Sequence, residues 1–349
     1  MTTWRPVGDR VLRFGLAGLG SMGRNHLRVL SSRGDIRLAA VADPVATNLD
    51  AATARTTAQG YAEPLAMLDE AELDAVVIAA PTTAHVPLAL RALERGIAVL
   101  VEKPLAATTD DALQIVDAAA ATGVPVQVGH VERFNPAVLE LGRLLEAGWL
   151  STIYAIASRR AGPFPARIRD VGVTIDLATH DVDILSWIAG ERPVRVFAET
   201  ARRIHASHED LLFGLLHFPS GATGMLDVNW LTPTKRRQLI VTGEEGMFEL
   251  DYLTQRLTFT KAADVVHPTL IGGYAPNFEG DVANLPVVIA EPLAAELDAF
   301  VGVVRNGGRP PIDAADGAWA VALANALLSS AAEQRSIDLS DLSARITAV

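Results

Sequence analysis

Three groups of residues in this chain have the types and spacing that chemistry needs. The first is Gly18-x-Gly20-x-x-Gly23, which directly follows the apolar run 11–17 and opens helical spacing from Met22 to Leu30. Asp43 closes the next apolar run, twenty residues after Gly23. Glycines of this spacing let backbone approach a pyrophosphate. The helix N-terminus meets its charge, and the carboxylate takes the ribose hydroxyls. An ordinary tight turn also accounts for a glycine triplet, but not for the strand before it and the helix after it. Arg24, near the helix start, is expected at the pyrophosphate. Asp43 is followed by Pro44-Val45-Ala46, with no arginine or lysine. A 2′-phosphate would meet the carboxylate unfavourably, so NAD is expected rather than NADP.

The second group is Glu102-Lys103-Pro104, at the carboxyl end of an apolar strand. In an open α/β sheet that end faces the ligand crevice. A lysine there would lie near the nicotinamide; the alternative is a salt-bridged surface lysine. Proline fixes its own φ and pushes the residue before it into an extended conformation.

The third is Asp176-Leu-Ala-Thr-His180-Asp181-Val-Asp183, inside a predicted helix. Asp176 and His180 are four apart and share a helical face, which Asp183 continues. A carboxylate beside a histidine raises its basicity and fixes its orientation. Alcohol oxidation needs such a base, because the hydroxyl proton must leave as hydride departs from carbon. A structural hydrogen bond explains the same pair equally well. A metal held by Asp176, His180 and a further carboxylate ranks below both, since hydride transfer to a nicotinamide needs no metal. No metal is expected.

The elements that position these residues follow from pattern. With 349 residues, two domains are the natural expectation. Half the chain is apolar and a fifth charged, as in ordinary globular proteins. The net charge of -11 argues against a nucleic-acid partner. The basic triplet Lys235-Arg236-Arg237 is read as a solvated strand end, with contact to an anionic substrate group as the alternative. There are no cysteines, which excludes disulfides and thiolate chemistry. No apolar run reaches the ~20 residues of a membrane span and the first residues carry no secretory pattern, so a cytoplasmic location and no membrane partner are expected.

Apolar runs at 11–17, 36–42, 75–80, 97–101 and 125–128 alternate with helical stretches at 22–30, 46–57, 85–95 and 110–121, with a shorter one at 64–70. That alternation predicts an α/β fold, a doubly wound parallel Rossmann sheet over residues 1–130. Residues 131–349 are expected to form a second α/β domain. Helices are predicted at 136–147, 173–189, 291–305 and 314–333. Strand-like runs at 152–160, 195–200, 211–218, 222–231, 238–242 and 247–250 lack intervening helices, which implies a large, mostly antiparallel open sheet. Residues 262–288 read as loop. Phe213, Leu215 and Trp230 are expected to give the sheet's open face apolar area for a homo-oligomer.

Together these motifs resemble the glucose–fructose oxidoreductase / inositol dehydrogenase (Gfo/Idh/MocA) family. The resemblance rests on Gly18-Leu-Gly20-Ser21-Met22-Gly23-Arg24-Asn-His, then Glu102-Lys103-Pro104, then Asp176-x-x-x-His180, in order along nearly the whole chain. It implies that Lys103, Asp176 and His180 are catalytic: His180 the proton acceptor, Asp176 tuning it and binding a sugar hydroxyl, Lys103 polarising the reacting oxygen. It also implies that Pro81, Thr82, His85, Glu102 and Lys103 line the cofactor cleft, and that the second domain builds a homodimer or homotetramer.

The family's glycine run before the catalytic aspartate is reduced here to Gly172. The segments from Gln127 to Pro136 and from Arg159 to Asp170 are similar to the branch acting on nucleotide-activated amino sugars, the UDP-N-acetylglucosamine 3-dehydrogenases. On that resemblance His130, Arg133, Asn135, Arg159, Arg167 and Arg169 bind substrate, with Arg159, Arg160, Arg167 and Arg169 set to meet a diphosphate. Arginines pair bidentately with diphosphate oxygens, though a solvated arginine-rich loop fits them as well. The implied reaction is oxidation of a secondary ring hydroxyl, at C3 of a pyranose, sugar or nucleotide sugar. Inositol or free-sugar oxidation is the alternative within the family, and a non-catalytic dinucleotide sensor the alternative of another class.

Overall fold

The computed structural model describes residues 4–165, 171–262 and 281–347. Contacts divide the chain into two units.

The first unit holds a six-stranded parallel sheet. Its strands are β1 (Leu12–Ala17), β2 (Ile36–Ala42), β3 (Gln59–Tyr61), β4 (Ala75–Ile78), β5 (Ala98–Glu102) and β6 (Val126–Gly129), in the order β3-β2-β1-β4-β5-β6. The five expected strands are all present; three-residue β3 is too short to show in the pattern. β4 and β5 are buried at every position, as continuous apolar runs covered on both faces must be. Helices α1 (Ser21–Ser32), α2 (Ala46–Thr53), α3 (Pro64–Glu70), α4 (His85–Glu94) and α5 (Thr109–Thr122) connect them.

The second unit follows α6 (Pro136–Glu146). Its sheet has nine strands: β7 (Ile153–Ala161), β8 (Arg195–Ala201), β9 (Leu211–His217), β10 (Thr223–Asn229), β11 (Arg236–Gly243), β12 (Gly246–Asp251), β13 (Arg256–Lys261), β14 (Val282–Leu285) and β15 (Ile337–Asp338). Every pairing is antiparallel except β7 with β10. Helix α7 (Thr179–Ala189) packs on one face. The expected loop over 262–288 differs in one part: Val282–Leu285 adds a strand to β13. The rest of that loop lies largely outside the described residues.

The division also differs from a single cut after residue 130. Residues 291–325 and 341–347, which carry α8 (Pro292–Asn306), most of α9 (Ala314–Glu333) and most of α10 (Ser340–Thr347), cluster with the first unit. The reason is packing no local pattern reports. Phe300 meets Phe14 edge-on at 5.9 Å, Gln127 Nε2 donates to the Glu296 carbonyl, and a Cβ on Gly317 would lie 2.6 Å from the Val128 side chain.

The open face of the nine-stranded sheet carries exposed Phe213, Leu215 and Met225. Leu215 and Met225 face each other across β9 and β10. Trp230 differs from expectation: it is buried against Phe164 and His205.

Candidate active site

In the first unit, the turn from β1 into α1 is shaped by three glycines with three different constraints. Gly18 has φ +91, and a Cβ there would lie 2.5 Å from the Ala79 carbonyl oxygen. A Cβ on Gly23 would lie 2.0 Å from the Gly18 carbonyl oxygen. Gly20 has open space where its Cβ would be. It is also the N-cap of α1, with no side-chain cap and no acidic residue in the first turn. Backbone that close to a helix N-terminus, uncovered and uncapped, fits the pyrophosphate of a dinucleotide. Ser21 and Met22 begin the helix there.

Asp43 stands at the end of β2 with its carboxylate engaged by the protein. Oδ2 accepts from Leu19 N at 2.7 Å, and Oδ1 accepts from Val45 N at 2.8 Å. An ionised carboxylate has about four acceptor positions, so it can brace this turn and still take a ribose hydroxyl. Beside it opens a cleft of about 400 Å³ lined by Leu19, Arg24, Arg28, Asn48 and Arg55. Asn48 Nδ2 reaches Asp43 at 3.4 Å. Asn48 and Arg55 were not legible as site residues, because they belong to α2 and the turn after it rather than to the motif.

The β4 and β5 ends are tied together. Pro81 precedes a short 3-10 turn over Thr82–Ala84, and His85 follows it, buried. Its Nδ1 is 2.9 Å from the Pro104 carbonyl oxygen and its Nε2 2.9 Å from that of Ala80. Burial lowers its pKa against the pull of both carbonyls, so the neutral ring donates to one of them. His85 is thus a tether between the two strand ends. Glu102 is buried and its Oε1 meets His26 Nε2 at 2.7 Å. Lys103, next in sequence, is half-buried. His130 is buried at the end of β6.

In the second unit, the motif around Asp176 is not one regular helix. Thr174–Ala178 winds as a π turn and α7 begins at Thr179. Such bulges are enriched at functional sites. Glu209 braces the start: its Oε1 accepts from Thr174 N at 3.0 Å, and its carboxylate fills the space a Cβ on Gly172 would need. That contact accounts for the one glycine kept here.

The four titratable residues of the motif then separate by burial. Asp181 is fully buried. It accepts from Ser158 Oγ at 2.6 Å and from Arg160 Nε at 2.8 Å. Asp183 is held bidentately by Arg133, Nε to Oδ2 at 2.8 Å and Nη2 to Oδ1 at 2.6 Å. Arg133 also lies over the Trp187 ring. Asp176 and His180 remain half-buried.

Several expected substrate contacts are engaged by other groups of the protein. Asn135 caps α6, accepting from Ala137 N and donating to the Tyr252 carbonyl. Arg133 is the partner of Asp183. Arg159 is exposed and pairs with Asp227 at 2.9 Å. Side chains alternate along a strand, so Arg159 lies on the sheet face opposite Ser158 and Arg160, which meet α7. Arg167 and Arg169 lie outside the described residues.

Arg160, expected at a diphosphate, is buried and bound to Asp181 and Glu132, and Arg237 belongs to the triplet expected at a solvated strand end. They face each other across β7 and β11. Burial opposes the Arg160 charge, but Asp181 and Glu132 outweigh it and raise its pKa. Arg237 is pushed down to about 10, by burial first and the Arg160 charge second. It is half-buried, so the triplet is not wholly a solvated strand end.

A parallel sheet with this glycine turn, joined to a mostly antiparallel sheet, defines a dinucleotide-dependent oxidoreductase. Residues 12–130 match the oxidoreductase family with an NAD-binding Rossmann fold, and residues 138–249 match the GFO/IDH/MocA C-terminal domain. Inositol 2-dehydrogenase 2 of Saccharopolyspora erythraea is 32% identical over 339 residues, covering 92% of this chain and 93% of that protein. UDP-N-acetylglucosamine 3-dehydrogenase of Acidithiobacillus ferrooxidans is 27% identical over 84% of this chain and 88% of that one. The solved WlbA dehydrogenase from Bordetella pertussis, in complex with NADH and UDP-GlcNAcA, has a TM-score of 0.83 at 25% identity, covering 96% of this chain and 99% of that one. The chain belongs to the Gfo/Idh/MocA family. It is an NAD-binding oxidoreductase of the sugar and polyol dehydrogenase kind, acting on hydroxyl groups. Among the described residues no helix is long and apolar enough to cross a membrane.

Proposed function

We propose that this chain oxidises a secondary ring hydroxyl of a sugar, at C3 of a pyranose, and that the sugar is nucleotide-linked. The observation that carries the catalytic assignment is the separation within one motif. Asp181 and Asp183 are buried in ion pairs with Arg160 and Arg133. Asp176, within the π turn, and His180, in the first turn of α7, are half-buried and keep partial access to solvent. A structural role explains the first two, and partial access to solvent on one face of the motif supports a chemical role for the second two.

In this reading His180 takes the hydroxyl proton, Asp176 orients the imidazole and binds a neighbouring hydroxyl, and Lys103 polarises the reacting oxygen. NAD supplies the hydride acceptor. Gly20 and the α1 N-terminus hold the pyrophosphate, with Ser21, Met22 and Arg24 around it, while Asp43 takes the ribose. Pro81 and Thr82 line the nicotinamide side. The similarity to proteins named UDP-N-acetylglucosamine 3-dehydrogenase and to WlbA supports the nucleotide sugar. A second reading, oxidation of an inositol, is favoured by the 32% identity to an inositol 2-dehydrogenase. We also propose a homodimer or homotetramer formed through the open sheet face, supported by exposed Phe213, Leu215 and Met225.

The test is NADH formation against a panel of UDP-sugars, free sugars and inositols. Turnover confined to UDP-sugars is expected; turnover confined to inositols selects the second reading. Lys103→Ala and His180→Asn are expected to lower kcat at least ~100-fold with NAD binding retained. Unchanged turnover in either variant rejects the assigned role.

A further inference from the structure

Beneath the Glu102-Lys103-Pro104 turn, within the first unit, lie three buried titratable side chains that the chemistry above does not use. His26 comes from α1, Glu102 from β5 and Glu296 from α8. One ligating atom from each lies within 4.8 Å of those of the other two. His26 and Glu296 have no exposed surface. Glu102 is engaged by His26. Both carboxyl oxygens of Glu296, and Nδ1 of His26, make no hydrogen bond among the described residues.

Two carboxylates in one buried space cannot both ionise without a cation between them. No arginine or lysine ion pair reaches Glu102 or Glu296 among the described residues; the basic partner of Glu102 is His26. Burial first, and the charge of Glu102 second, push the Glu296 pKa well above the ordinary range. A protonated carboxyl is a donor as well as an acceptor. A gap of up to 4.8 Å is closed by one bridging water or a small carboxyl rotation.

We propose that Glu296 is a positioning residue for Lys103: as a proton donor it completes a His26–Glu102–Glu296 hydrogen-bonded chain that holds the turn at the end of β5. This rests on the reading of Lys103 as the group acting at the reacting oxygen. Its effect is transmitted through Glu102, the residue before that lysine, whose side chain points into the protein. Misplacement of a catalytic group by about 1 Å costs on the order of 100-fold in rate, so a remote carboxyl can govern turnover without touching substrate.

The chain has three lysines, Lys103, Lys235 and Lys261, which makes a substrate-free test possible. Reductive methylation of the full-length protein with carbon-13 formaldehyde labels all three, and Lys103→Arg identifies the Lys103 resonance. In Glu296→Leu the Lys103 resonance and its titration are expected to shift while those of Lys235 and Lys261 stay. Glu296→Gln, which keeps the size and a donor, is expected to bring Lys103 back toward its original position. With whichever substrate the panel identifies, kcat of Glu296→Leu is expected to fall about tenfold or more with a smaller change in KM.

Infrared spectra at neutral pH should show a buried carboxylic acid band that Glu296→Gln lacks. Absence of that band overturns the donor role. A Lys103 signal unmoved in Glu296→Leu overturns the positioning role. Stoichiometric divalent metal in the purified protein, lost in Glu296→Gln, overturns both in favour of a metal centre. Should Glu296→Leu not fold, Glu296→Asp retracts the carboxyl by one methylene and carries the same expectation. If no substrate turns over, the dehydrogenase reading fails, and the lysine and infrared measurements still decide what Glu296 does.

Discussion

Gly23 in α1 passes so near Gly18 that a methyl group on it would lie 2.0 Å from the Gly18 carbonyl oxygen, whereas Gly20, between them, has open space. The two helix-side glycines of one motif therefore serve different ends. Gly23 permits the helix to pack on the turn, and Gly20 permits a ligand to approach it.

Substitution should separate these ends. Gly23→Ala overlaps backbone that cannot move aside, and should cost about 3 kcal/mol or more of stability without cofactor. Gly20→Ala should change unliganded stability by less than ~1 kcal/mol, while weakening NAD about tenfold or more, or ~1.4 kcal/mol. Thermal melts and calorimetric titration with NAD read the two effects. Equal loss of stability in both variants would contradict this division.

Asp43→Ala removes a buried acceptor from two backbone N–H groups. The orphaned donors should cost about 1–3 kcal/mol. NAD should bind more weakly, and the preference for NAD over NADP should narrow, since the repelling carboxylate is gone and Arg24 and Arg55 line the adjacent cleft. Dissociation constants for both cofactors test this; an unchanged ratio rejects it.

His85 makes the first unit sensitive to mild acid. Its pKa is lowered in the folded protein by burial. The unfolded chain therefore takes up a proton before the folded one does. Its contribution is fully present above the ordinary value of 6.5 and is lost as pH falls below that toward the folded pKa. His85→Asn should flatten the fall in melting temperature over that window. An unaltered slope would show that other groups govern it.

Arg133 and Asp183 form an almost fully desolvated bidentate pair, with side chains 12% and 2% exposed. Removing one partner strands the other charge. Arg133→Ala should destabilise by about 3 kcal/mol, with no specific rise in KM for substrate once measured below the lowered melting point. A large KM increase in a stably folded variant would restore Arg133 as a substrate contact.

The first sheet was legible because its evidence is local. An apolar run, a glycine turn and a helical period are set by residues near one another in the chain, so β1, β2, β4, β5 and β6 appeared where the pattern put them. Hairpins at Pro219–Gly221 and Gly243–Gly246 were legible for the same reason. The separation of Asp176 and His180 from Asp181 and Asp183 was not. Helical spacing grouped Asp183 with the first two, but its burial is decided by Arg133, fifty residues earlier. Likewise the two-residue strand period could tell Arg159 from Arg160, yet not which of them faced α7.

The order of residues alone therefore determined the dinucleotide turn, the class of fold and the short roster of groups able to move a proton. Each depends on backbone conformations that a few neighbouring side chains impose. Tertiary structure alone decided which charged groups are consumed by others and which keep partial access to solvent. That outcome depends on desolvation and on ion pairs formed across long stretches of chain, such as Arg133 with Asp183, and no local spacing encodes it.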